Sequence, residues 1–67
     1  MIVKFYILQK HTESGKTRDK YLFKSEYKEM FIGKQFVQHE TKYQVKSLEW
    51  EDQVAGVLKA VCLEVLQ

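Results

Sequence analysis

Proline is absent from this 67-residue chain, glycine occurs three times and cysteine once. Neither a disordered linker nor a low-complexity segment fits so few chain breakers beside so many apolar side chains. One cysteine excludes an internal disulfide. Cys62 and the two histidines, His11 and His39, lack the spacing of a zinc site, so no metal and no other cofactor is expected. No apolar run is long enough to span a membrane. The N-terminal MIVKFYILQK lacks the apolar core and small-residue cleavage site of a signal peptide. The expectation is no membrane contact and a cytoplasmic location, where a lone thiol stays reduced. No repeat or internal boundary interrupts the chain, so residues 1–67 are expected to form one compact domain.

A domain of this length buries only about 60% of its unfolded surface. Such domains usually need a staple, a partner chain or dense packing. One tryptophan, four tyrosines and four phenylalanines are present to supply the packing. The charge is unevenly spread. Through Lys46 ten Lys/Arg face five Asp/Glu, whereas from Ser47 onward Lys59 stands alone against Glu49, Glu51, Asp52 and Glu64. A basic body with an acidic end is compatible with a polyanion-binding face, but an ordinary solvated Lys/Glu surface accounts for it better.

The C-terminal third, YQVKSLEWEDQVAGVLKAVCLEVL from Tyr43 to Leu66, admits two readings. As a helix, Trp50, Val54, Val57, Leu58, Val61 and Val65 share one face, but Gly56 then sits mid-helix at a cost of about 1 kcal/mol. As strands, Tyr43, Val45 and Ser47 alternate with Gln44 and Lys46, and residues 51–56 form a turn in which Gly56 can take positive φ. The return strand then carries Val57, Val61, Leu63 and Val65 on one side, with Lys59 the only charge among them. Leu58, Ala60, Cys62 and Leu66 share the other side with Glu64. The density of valine favours strands over a helix for 51–66.

Upstream, Ile2 to Lys10 reads as a strand apolar on both faces, and His11 to Asp19 as a polar loop turning at Ser14-Gly15. Lys20 to Lys24 reads as a second strand, hairpin-paired with the first. Ser25 can cap a short helix near 25–32, with Glu26 and Glu29 in its first turn, Tyr27, Met30 and Phe31 on its buried side and Gly33 as its stop. The alternative extends the second strand through Ser25 and Tyr27. Lys34 to Gln38 reads as a third strand, and His39 to Lys42 as a tight turn. The predicted class is α+β: a small, mostly antiparallel sheet or barrel of four or five strands with one short helix.

Motifs for chemistry fail on inspection. Ser14-Gly15-Lys16-Thr17 matches the end of a phosphate-binding loop, but Lys10 stands where the motif needs its other glycine, and a strand follows where it needs a helix. His39-Glu40 opens a zinc-protease motif that Tyr43 breaks. Cys62, between Val61 and Leu63, reads as a buried hydrophobe rather than a nucleophile. The chain is expected not to be an enzyme.

Two kinds of partner remain. Lys4, Lys20, Lys24, Lys34 and Lys42, with Tyr6 or Tyr21, interleave cations and rings as sheets that bind single-stranded nucleic acid do. The preferred expectation is a non-enzymatic regulatory or adaptor domain acting by protein–protein contact and pairing with itself as a homodimer. The long apolar last strand is expected to offer an edge for this.

Overall fold

The computed structural model describes residues 1–10 and 17–66. Five strands account for most of them: β1 (Ile2–Lys10), β2 (Thr17–Glu26), β3 (Gln35–Gln38), β4 (Thr41–Asp52) and β5 (Val57–Glu64). They form one sheet in the order β2-β1-β5-β4-β3. Pairs β1/β2, β3/β4 and β4/β5 are antiparallel, while β1 and β5 run parallel. Strands apolar on both faces belong at a sheet's centre, and β1 and β5 take that place side by side.

The α+β expectation is overturned, because no helix occurs among the described residues. The helix expected near 25–32 fails because its backbone groups are already engaged. Ser25 and Glu26 pair with Val3 and Ile2 in the β1/β2 ladder. Tyr27 N–H donates to Met1 O, and the Met1 amino group donates to Tyr27 O. At the far end Gly33 N–H donates to Val45 O and Val45 N–H to Lys34 O, 2.8 Å each. The segment between is stretched across the concave side, where Tyr27 and Met30 cover the core. Asp19 and Arg18 belong to β2 rather than to a loop, and the expected Ser14-Gly15 turn lies outside the described residues.

The C-terminal third is strand, turn and strand, shaped by two bulges. Val45 pairs with Cys62 and Ser47 with Val61, leaving Lys46 as an extra residue. Such an insertion reverses which residues of a strand face inward. Tyr43 and Val45 point into the core before the bulge, and Leu48 packs on it afterwards. The expected alternation through Ser47 is thereby corrected: Ser47 pairs with Val61, on the outer side. Glu51 is the extra residue of the second bulge. At the turn, Ala55 N–H donates to Asp52 Oδ1 and Gly56 takes φ +73°, a conformation glycine adopts without steric cost. His39 and Glu40 both have positive φ in the two-residue loop between Gln38 and Thr41, as hairpin twist requires.

The sheet curls into a half-barrel around Val3, Phe5, Tyr43, Val45, Leu58, Ala60 and Cys62. Phe5 organises this concave side. Its ring lies 4.6 Å from Phe23 and 4.7 Å from Phe36, with Tyr27 edge-on at 5.7 Å. Phe23 on β2 and Phe36 on β3 meet at 5.8 Å. The two edge strands are thus joined through side chains. Ala60, paired with Phe5, leaves room for the ring cluster.

Candidate protein-contact face

The register of the ladders arranges the convex side of the sheet in rows. Lys24, Lys4, Lys59 and Glu49 form one row, and Tyr21, Tyr6, Val61 and Ser47 the next. Beyond them Asp19 pairs with Leu8, and Leu63 pairs with Gln44. On the other flank Ile2 lies between Glu26 and Val57. The apolar members, Ile2, Tyr6, Leu8, Val57, Val61 and Leu63, come from the two central strands. Among the described residues, the segment joining β2 to β3 packs its Tyr27 and Met30 on the opposite, concave side. The convex rows therefore keep partial exposure, and Leu63 is 40% exposed.

A compact charge network crosses this face. The Glu51 carboxylate receives Lys4 Nζ at 3.2 Å on one oxygen and the Tyr6 hydroxyl at 3.3 Å on the other. Lys59 Nζ lies 2.8 Å from Asp19, 3.7 Å from Glu49, and 4.9 Å from the centre of the Tyr6 ring. The hydrogen bond to Glu51, then that carboxylate's charge, raises the Lys4 pKa. The hydrogen bond to Asp19 raises that of Lys59. Burial first, and Glu51 second, raise that of Tyr6.

The residues proposed for nucleic-acid contact divide. Lys4, Tyr6, Tyr21 and Lys24 come together on the convex face, with the two tyrosine rings edge-on at 5.5 Å. Lys20 pairs with Ile7 on the opposite side of β2. Lys34 lies in the connection before β3, over the Tyr27 and Phe31 rings. Lys42 sits on β4 opposite Val37. Lys59, absent from that set, is the centre of the network. Its isolation on an otherwise apolar side of its strand was the only signal the sequence carried. The bulged Glu51 gave none, because it read as part of a turn.

No group of three metal-ligating side chains occurs among the described residues. Cys62 faces the core with no exposed surface, and its thiol donates to Ala60 O at 3.8 Å. Burial pushes its pKa from 9.0 up to about 11. Between those values the unfolded chain has lost a proton that the folded chain retains, so stability is full below pH 9 and falls as pH rises toward 11. The expected loss is on the order of 2 kcal/mol. Urea unfolding at pH 8 and pH 10.5 is expected to show it for the native chain and to show much less for Cys62→Ala. The edge expectation for the last strand is also corrected. β5 is enclosed by β1 and β4, and among the described residues the strands with a free edge are β2, which carries Lys20, Lys24 and a bulge, and the four-residue β3. Lysines, bulges and short length all discourage edge pairing.

An open depression of about 400 Å³ continues the apolar surface past β5, lined by Ile32, Gln44, Lys46, Leu63 and Val65 among others. No helix of the described chain is long and apolar enough to cross a membrane. Comparison with protein-family models, curated proteins and solved structures finds no match for this chain.

Proposed function

We propose that this chain is a non-enzymatic regulatory or adaptor domain that acts by protein–protein contact through the convex face of its sheet. The observation carrying this reading is the group of partly exposed apolar side chains on β1 and β5, Tyr6 and Val61 with Leu8 and Leu63 beyond them, on the face opposite the core. A lone exposed apolar residue needs no explanation, but a contiguous apolar patch marks an interaction surface. The lysines beside it argue for protein rather than nucleic acid as the partner. Lys4 and Lys59 are held by Glu51, Asp19 and Glu49. Two of the lysines on this face thus carry their counter-charge within the chain, which weakens the field they offer to phosphates. The buried thiol fits a reducing, cytoplasmic setting.

The test is capture with a Val61→Lys/Leu63→Lys variant beside the native chain. The native chain is expected to hold a protein stoichiometrically, its own chain included, and the variant to release it while unfolding at the same urea concentration. Equal retention by both would contradict the reading. So would an oligonucleotide complex that forms at low salt and dissolves steeply as salt rises.

A further inference from the structure

We infer that the protein seated on the convex face is a second copy of this chain, packed face to face about a two-fold axis that runs across the strands. The inference rests on the protein-contact reading above and names its partner. The charge along β4 carries it. The first half of the strand presents Lys42 and Lys46, and the second half Glu49, Glu51 and Asp52. A two-fold axis lying along the row of Tyr21, Tyr6, Val61 and Ser47 sets β4 over the β4 of the other copy, running antiparallel. The lysine half of each strand then faces the carboxylate half of its counterpart.

The same axis sets β2 over β2, bringing Asp19 opposite Lys24, so both flanks are matched by one operation. A two-fold axis along the strands also sets Lys24 over Glu49, but it places Glu26 near Asp52 at one end and Lys4 over Lys59 at the centre. A contact of the first kind is self-complementary, as closed two-fold dimers require. Its centre is Tyr6 and Val61, with Leu8 and Leu63 beside them, while Lys42, Lys46 and Asp52 on β4 and Lys24 on β2 stand toward the rim, where charges steer and select. Lys4 and Lys59 enter it with their charges already matched inside their own copy, presenting apolar stems.

Edge-to-edge pairing, the competing route to a homodimer, meets Lys20, Lys24 and the bulge on β2.

The test uses sedimentation at tens of micromolar chain, with two charge variants, Lys42→Glu/Lys46→Glu and Glu49→Lys/Glu51→Lys. The native chain is expected at twice its 8.0 kDa monomer mass. Each variant alone is expected as a monomer, its self-association weakened on the order of tenfold or more. An equal mixture of the two is expected to return to the dimer mass, since one variant's β4 then carries only acidic charges and the other's only basic ones apart from Asp52. The recovery also shows that both variants are folded. A native chain that sediments as a monomer overturns the inference, while the capture experiment separately decides the protein-contact reading. Variants that dimerise alone, or a mixture that stays monomeric beside a dimeric native chain, overturn the two-fold arrangement.

Discussion

Deleting Lys46 is expected to leave this chain unfolded, whereas Lys46→Ala is expected to change stability by no more than about 0.5 kcal/mol. The side chain of Lys46 is exposed and makes no contact on which the core depends, but its backbone is the extra residue of the bulge between Val45 and Ser47. With that residue absent, a regular β4 cannot send both Tyr43–Val45 and Leu48 inward. Either Tyr43 and Val45, 8% and 1% exposed, turn to water, or Leu48 does and Trp50, paired with Leu58, turns with it. Re-exposing Tyr43 and Val45 costs about 3–6 kcal/mol, and turning out Leu48 with Trp50, already 49% exposed, costs less but strips the other half of β4 from the core. A domain of this size has only about 3–10 kcal/mol to lose. Loss of the cooperative urea transition, followed by Trp50 emission, is the expected result for the deletion. A sharp transition near the native midpoint would show that the bulge does not set the inward face.

The same residue shows where sequence reading ends. Ile2–Lys10 and the His39 turn were legible because runs of β-formers and a polar break between them are local signals. The alternation of Tyr43, Val45 and Ser47 was equally local, yet it failed at Ser47 because a bulge is fixed by the partner strand, here Cys62 and Val61. The segment after Ser25 carried a plausible cap, acidic first turn and stop glycine. Hydrogen bonds to Met1 and Val45, distant in sequence, overrode them. The extended alternative through Tyr27 required knowledge of those partners. The site was legible only in part for the same reason. Lys4, Tyr6, Tyr21 and Lys24 were visible as cations beside rings, but the carboxylates that neutralise Lys4 and Lys59 come from β2 and β4 through a register no local pattern encodes.

The second large effect separates the two faces of a single strand. Cys62 and Leu63 are adjacent in β5 and point to opposite sides of the sheet. Cys62 has no exposed surface and is packed with Phe5, Val45 and Ala60 in the core cluster, without any acid nearby that could pair with an ammonium. Placing a lysine there forces an unpaired cation into that cluster, at a cost of several kcal/mol even if it sheds its proton. Leu63 is on the convex side beside Gln44, so a lysine at that position keeps its ammonium in water and leaves the core intact. The same substitution at two neighbouring positions should thus have opposite outcomes.

Urea unfolding of Cys62→Lys and Leu63→Lys, followed by Trp50 fluorescence at a concentration low enough to keep chains apart, tests the opposition of a sealed inner face and an open outer face directly. Loss of the transition for Cys62→Lys, with a midpoint within about 0.5 kcal/mol of native for Leu63→Lys, is the predicted result. Equal damage at both positions would mean that the convex face is covered by the chain itself, and would contradict its role as a surface for a partner.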